Sequence, residues 1–235
     1  MVKAKIGLVS GVGPLAGANV LEKIFACAAL DHGAVEDAEY PDVVLVNHGI
    51  SGVDNTATLS DNFKNGIISM VNQLEDNGAT IIGIACNTAH LYLDEIKVSK
   101  NTILVNLIDE VAKEAAKTNQ KYLLLTSAAS RQQKLYHSYL KKYGVEFEEV
   151  TLEEQKKLDE AISLVMAYKL EEAGALVASI LQRAHGQGFR AVIAGCTELP
   201  IAIDNAKNTY GIEIIGSNYI LARALTDIYY SNRVC

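Results

Sequence analysis

Two stretches of this chain, 110 positions apart, repeat one plan. Gly78-Ala79-Thr80-Ile81-Ile82-Gly83-Ile84-Ala85-Cys86-Asn87-Thr88 runs parallel to Gly188-Phe189-Arg190-Ala191-Val192-Ile193-Ala194-Gly195-Cys196-Thr197-Glu198. In each, a glycine that ends a helix leads into an apolar run of strand length, and a cysteine follows the glycine by eight positions. A fainter echo joins Ile6-Gly7-Leu8-Val9-Ser10-Gly11 to Leu123-Leu124-Leu125-Thr126-Ser127-Ala128, both of which run from apolar residues into small and hydroxyl ones. Strands that end in small residues are common in α/β proteins, so coincidence is the bland alternative. The matched cysteines favour a duplicated half.

Strand and helix patterns alternate throughout. Apolar runs fall at Ile6–Val9, Val43–Val46, Ile81–Ala85, Ile103–Val105, Tyr122–Leu125 and Ala191–Ala194, with amphipathic stretches at Asn62–Leu74, Asp109–Ala116, Gln133–Tyr143 and Glu153–Ala167. Such alternation predicts parallel sheets wrapped by helices. The expected fold is α/β, with two pseudo-symmetric lobes, each a mostly parallel sheet flanked by helices, and an interlobe cleft. The lobes are placed at 1–105 and 106–215, with a last helix near Tyr219–Tyr230 returning the segment 216–235 to the first lobe.

Composition narrows the function classes. At 235 residues, with 49% hydrophobic and 21% charged residues, the chain can bury one large core or two compact ones. A net charge of −7 without a basic cluster argues against nucleic acid as a partner. No apolar run is long enough to span a membrane. Met1-Val2-Lys3-Ala4-Lys5 resembles the start of a signal peptide, but Gly11, Gly13 and Pro14 cut the apolar stretch that follows, which reads better as strand, turn and helix start. The cysteines, at 27, 86, 196 and 235, form no CxxC pair, so neither a disulfide framework nor a zinc ribbon is expected and a cytoplasmic setting fits.

In parallel sheets ligands bind beyond the carboxyl ends of the strands, where Cys86 and Cys196 both fall. Asn87, Thr88 and Thr197 are suitable helix caps. A helix start there would bind a carboxylate and favour the thiolate. Two thiols on opposite sides of one carbon can invert a stereocentre without a cofactor: one removes the α-proton and the other returns a proton to the opposite face. A lone cysteine at a strand end is usually a small buried apolar group; two at equivalent positions weigh against that reading. Cys27, on the apolar face of the first helix, and the terminal Cys235 receive no role.

Ser10-Gly11-Val12-Gly13-Pro14-Leu15-Ala16 fits the dinucleotide pattern G-x-G-x-x-G/A, but the second strand ends Val46-Asn47-His48 without the acidic residue that would grip a ribose. The loop is read instead as a substrate-carboxylate or backbone-donor loop, and Asn47 at the end of the second strand is taken as a substrate-binding residue. His48 borders the expected cleft and His90 lies four residues after Cys86. Neither builds a metal set. His32, His137 and His185 are expected in solvent.

Taken together, Gly11-Val12-Gly13-Pro14-Leu15-Ala16, Ala85-Cys86-Asn87-Thr88-Ala89-His90 and Gly195-Cys196-Thr197-Glu198-Leu199 resemble the aspartate/glutamate racemase family, in the same order over nearly the entire chain. The resemblance implies racemisation of a small amino acid without pyridoxal phosphate or any other cofactor, often in a homodimer. Cys86 and Cys196 would be the catalytic pair. Asn87, Thr88 and Thr197, with Val12 and Gly13, would cradle the α-carboxylate. Ser127, Ser130 and Glu198 would lie near the cleft. Aspartate-specific members carry Asp-Arg-Thr after the second strand; here the run is Asp54-Asn55-Thr56. A family lysine falls near Met166 on an ungapped alignment from Gln155, or at Lys169 on a shifted one. Losing a bidentate arginine removes a strong carboxylate anchor, so the side-chain preference is expected to be broad or shifted from aspartate. A lid is placed at Gly49–Thr58 from its composition. The rival readings are a superfamily isomerase of maleate or hydantoin type, an arylmalonate-type decarboxylase needing one cysteine, and an amino-acid-binding protein without turnover.

Overall fold

The computed structural model describes residues 4–50 and 60–232. Asn55 and most of the 49–58 stretch lie outside the described residues, as does Cys235. The chain divides into two compact units, residues 1–107 with 218–235, and residues 108–217.

The first unit holds a parallel sheet of four strands, β1 (Ile6–Ser10), β2 (Val43–Asn47), β3 (Ile81–Ile84) and β4 (Ile103–Leu104), in the order β2-β1-β3-β4. Every residue of β1 and β3 is buried, as expected of central strands covered on both faces. Helix α1 (Pro14–His32) begins behind Gly13, which is left-handed at φ 85°, with Pro14 at its first position, where a missing N–H costs no helical bond. Helix α2 (Asp61–Asp76) is capped by Ser60, whose hydroxyl accepts from Phe63 N–H, and it buries Phe63, Ile67, Met70, Val71 and Leu74. That spacing is one face of a helix laid on the sheet.

The second unit starts with α3 (Leu107–Ala115) and repeats the strand order as β6-β5-β7-β8, from β5 (Tyr122–Leu125), β6 (Phe147–Glu149), β7 (Ala191–Ala194) and β8 (Glu213–Gly216), all parallel. Its helices are α4 (Ala128–Gln132), α5 (His137–Lys142), α6 (Leu152–Met166), α7 (Leu170–Gly186) and α8 (Glu198–Asp204). Thr151 and Glu154 form a capping box that starts α6. The chain then returns to the first unit through α9 (Ser217–Ser231). There Leu221 and Leu225 pack on β3 at Gly83, and Asn218 donates to Asn19 at 2.8 Å.

The repeat seen in the sequence is a repeat of backbone geometry. Gly78 and Gly188 sit at φ 81° and 92° after α2 and α7. Gly78 N–H donates to Glu75 C=O and Ala79 N–H to Leu74 C=O; Gly188 N–H donates to His185 C=O and Phe189 N–H to Ala184 C=O. Both are the paired closing bonds of a Schellman C-cap, which needs a left-handed residue. The cap aims each chain into β3 or β7.

Three expectations are corrected. Gln133–Tyr143 is not one helix: Lys134, at φ 51°, closes α4, with Lys134 N–H on Arg131 C=O and Leu135 N–H on Ser130 C=O. This is the same cap made without glycine, and it turns Leu135 and Tyr136 into the core. Second, the segment Thr88–Glu95 is a 3-10 helix. Third, the edge strands β6 and β8 escaped the apolar pattern because Glu148, Glu149 and Glu213 interrupt it.

Leu225 is fully buried against β3. Leu225→Ala is expected to cost about 3 kcal/mol through lost burial and the cavity left behind, measured by urea unfolding. A loss below about 1 kcal/mol would show that α9 does not support the first unit.

Candidate active site

Strand register brings the expected residues of each unit to one edge. In the first unit Ser10 pairs with Asn47 and Val9 with Ile84. Ala85 N–H then donates to Val9 C=O at 3.0 Å, so Cys86 emerges beside Ser10 and Asn47. The Ser10 hydroxyl donates to Asn47 Oδ1 at 2.9 Å. Gly11, at φ 91°, runs so close to His48 that a Cβ on it would lie 2.1 Å from His48 C=O; only glycine permits that approach. Val12 is half-buried against the apolar cluster to which Cys86 belongs.

Cys86 is 7% exposed. Behind it lies His90, fully packed, with Nδ1 2.9 Å from Cys86 C=O and Nε2 3.1 Å from Leu107 N. A carbonyl can only accept and an amide N–H can only donate, so the ring is the neutral Nδ1–H tautomer. Burial pushes its pKa down. With both nitrogens given to backbone, His90 holds the main chain at Cys86 and has none left for the sulfur.

The second unit reproduces the frame. Leu125 pairs with Ala194, Gly195 N–H donates to Leu125 C=O at 2.7 Å, and Cys196 follows, 8% exposed. Beyond β5, Ser127 caps α4: its Oγ accepts from Ser130 N–H at 3.3 Å and donates to the buried Ser130 Oγ at 3.2 Å. Helix α6 braces this loop. Gln155 donates to Thr126 C=O at 2.9 Å and to Asp159 Oδ1 at 3.1 Å, and Asp159 Oδ1 accepts from Ala128 N–H at 3.0 Å.

The units differ in what stands beside the thiol. Cys196 Sγ donates to Glu198 Oε2 at 3.1 Å, and Thr197 Oγ1 donates to the same oxygen at 3.2 Å. Glu198 is buried, and burial pushes its carboxyl up from the usual range while its donors pull it back. Tyr136 closes the other side: a Cβ on Gly195 would lie 2.7 Å from Tyr136 Cε2. Burial raises the pKa of the Tyr136 phenol, and a thiolate at Cys196 would raise it further, so it stays neutral.

Asn87 and Thr197 occupy N-cap positions with right-handed helical backbone and make no side-chain capping bond. This corrects the expectation of capping side chains, because a side-chain cap needs extended backbone. His137 is half-buried, edge-on to Phe147, and not in open solvent. His32 likewise stacks on Tyr230 and donates from Nε2 to Asp227 Oδ1 at 2.9 Å; His185 is exposed. Met166 ends α6 with 61% exposure, and Lys169 Nζ lies 3.8 Å from Glu172. Burial and the Asp31 carboxylate push the Cys27 thiol up to about 11, which leaves it unreactive near neutral pH. Tyr136, Gln155 and Asp159 were not singled out by sequence. Among the described residues no three His, Cys, Asp or Glu side chains gather as a metal set, and no helix is long and apolar enough to cross a membrane.

Two parallel four-stranded sheets flanked by helices, with a cysteine beyond the matching strand of each, define a two-unit racemase fold. Over 97% of this chain and 95% of the other, the structure superimposes on Picrophilus torridus aspartate racemase with a TM-score of 0.84 at 26% identity. An aspartate racemase homologue from Pyrococcus horikoshii matches 96% of this chain and 99% of its own with a TM-score of 0.74, also at 26% identity. The broad specificity amino-acid racemase RacX of Bacillus subtilis is 24% identical over 95% of this chain and 97% of RacX. The family model for Asp/Glu/Hydantoin racemase matches residues 9–225. The chain therefore belongs to the Asp/Glu/Hydantoin racemase family and is an isomerase.

The neutral, buried His90 links stability to pH. Its folded pKa lies below its unfolded value, so the unfolded chain takes up the proton first on acidification. Stability is fully present above the unfolded pKa, near 6.5, and falls as pH drops toward the folded one. Urea unfolding between pH 7 and 5 should show His90→Asn losing less stability than the wild type, by up to about 1.4 kcal/mol per pH unit. Equal pH slopes would overturn the assignment.

Proposed function

We propose that this protein is a cofactor-independent amino acid racemase that inverts the α-carbon with Cys86 and Cys196 as its two bases. The observation that carries this reading is the position of the two thiols. Each follows the same central strand in a unit of the same topology, fixed by the same backbone bond to the neighbouring strand.

In the forward step the sulfur of one thiolate takes the α-proton. The C–H electron pair stays on the α-carbon and spreads into the carboxylate. The S–H of the other cysteine then breaks, and its proton adds to the opposite face. Without an electron sink, the extra charge on the carboxylate must be met by fixed donors, the largest contribution such a site can make. Asn87, Thr88 and Thr197, with the Val12–Gly13 loop, Ser127 and Ser130, are the groups proposed to meet it. Ser10 fixes the amide of Asn47 at the rim of the site.

Side-chain choice rests on Asn55, assigned from sequence alone. With asparagine where aspartate-specific relatives carry arginine, the pocket loses that bidentate anchor for a second carboxylate, whether the family lysine is matched by the exposed Met166 or by Lys169. A broad or less acidic substrate range follows, in keeping with the similarity to RacX.

α-Proton exchange in D2O, followed by NMR over L- and D-amino acids of acidic, amide, neutral and basic types, tests the reading. Exchange with inversion is expected for at least one class, falling by about 10²- to 10⁴-fold in Cys86→Ala and in Cys196→Ala. Silence over the whole panel, in folded and reduced protein, would sink it. Asn55→Arg should raise turnover of aspartate relative to neutral substrates by about tenfold or more, the worth of one charge-assisted bond. An unchanged ratio would remove Asn55 from the side-chain pocket.

A further inference from the structure

We infer that Glu198 is a positioning residue that holds Cys196 as the protonated thiol in the free enzyme, making Cys196 the acid of the pair and leaving Cys86 as the base. The inference rests on the two-thiol reading and goes beyond it, because two-base chemistry alone does not say which sulfur carries the proton at rest.

The geometry supplies the reason. Glu198 Oε2 accepts from both Cys196 Sγ and Thr197 Oγ1. That oxygen lies within hydrogen-bond distance of both side-chain donors, and a carboxyl is intrinsically a stronger acid than a thiol by about four pKa units, which puts the shared proton of the pair on sulfur. Moving it away from sulfur without giving it to Glu198 would place two negative charges 3.1 Å apart in a buried site, which proteins avoid by keeping one group protonated. The first unit has no such acceptor in its histidine: both nitrogens of His90 are bound to backbone. One frame thus carries a carboxyl aimed at its thiol and a neutral ring aimed at its main chain.

Neighbouring titratable groups are engaged elsewhere or exposed. Tyr136 is buried and neutral. On α6, Glu154 is paired with Arg183 of α7, and Asp159 is bound to Ala128 N–H and Gln155; Glu153, Lys156 and Glu160 are exposed and Lys157 is partly buried. Glu171, Glu172 and His185 on α7 and Glu213 on β8 are exposed.

The step balances. The α-proton passes to the Cys86 thiolate, and Cys196 gives its own proton to the opposite face and becomes a thiolate, a transient state whose repulsion from the Glu198 carboxylate draws a proton back onto the pair. The proton on Cys86 and the charge on Cys196 must then exchange through solvent before the next forward turnover. In the reverse direction Cys196 takes the α-proton and Glu198 accepts its hydrogen bond again.

The experiment measures alkylation of each cysteine by iodoacetamide against pH, by peptide mass spectrometry, alongside the pH profile of kcat/KM. In Glu198→Gln, which keeps size and hydrogen bonding but not the charge, the Cys196 alkylation midpoint is expected to fall by about one pH unit or more. The Cys86 midpoint stays in place. The basic limb of kcat/KM, which reports the acid of the free enzyme, moves down with Cys196 while the acidic limb is unchanged. Glu198→Asp, whose carboxyl is one methylene short of the sulfur, should fall between and serves if the glutamine variant does not fold. An unchanged Cys196 midpoint in folded variants, with racemisation intact, overturns the inference alone. A Cys196 midpoint that falls in Glu198→Gln, in a protein whose wild type racemises no substrate, overturns the racemase reading and leaves the Cys196–Glu198 pair standing.

Discussion

Everything the candidate site offers depends on one backbone bond made twice. Ala85 N–H on Val9 C=O and Gly195 N–H on Leu125 C=O are the last rungs of the two central ladders. Each fixes the residue before a cysteine against the neighbouring strand, so the thiol leaves the sheet at its carboxyl edge with the strand's full rigidity behind it. A parallel pair slipped by one residue would turn each strand's buried side chains to the opposite face. Because every residue of β1, β3, β5 and β7 is buried, register here is held by close packing: a Cβ on Gly83 would lie 2.8 Å from Leu225, and one on Gly195 2.7 Å from Tyr136. The Schellman caps at Gly78 and Gly188 act upstream on the same geometry, since a helix that overran by one residue would deliver the strand out of phase.

On that shared frame the two units build different chemistry. In the first, polar groups near the thiol are satisfied by neutral partners: His90 by backbone, and Ser10 by Asn47. In the second, a carboxyl is buried where it meets sulfur. Burying a carboxyl costs free energy unless its oxygens are hydrogen-bonded. Here the cost is met by the thiol, a hydroxyl and backbone, so the stability of the pair and the protonation of the thiol are one interaction. The shared strand order gives the two cysteines equivalent positions in their units; the side chains that follow them, Asn87 and Thr88 in one and Thr197 and Glu198 in the other, differ.

Much of this was legible in the sequence because the relevant constraints are short-range. The glycine-to-cysteine spacing, the apolar central strands and the amphipathic helices α2, α6 and α9 each carry their own signal. The features that were missed have none. Lys134 takes a left-handed conformation that glycine usually announces, so the turn that buries Tyr136 looked like an unbroken helix. The edge strands β6 and β8 are three and four residues long with glutamates among them. The brace from Gln155 and Asp159 to the Ser127 loop spans about thirty positions, a distance at which pattern reading is blind. Glu198 was legible as a member of the site, yet its direction, toward sulfur, required the fold.

The same asymmetry bears on why a site of this kind tolerates a loosened side-chain pocket. On the proposed two-thiol reading, the groups set closest to proton transfer lie within two residues of Cys196 and four residues beyond Cys86, all on or beside the two central strands. The residues assigned to substrate side chains, Asn55 and Met166, sit on segments remote from those strands in sequence, and Met166 lies at an exposed helix end. On that reading, a change at either position would act on which amino acid binds and leave the hydrogen bonds beside Cys196 and around His90 in place. An asparagine in place of an arginine would remove an anchor for a side-chain carboxylate, while the α-carboxylate, whose charge grows in the transition state, would keep the donors proposed for it on other parts of the chain.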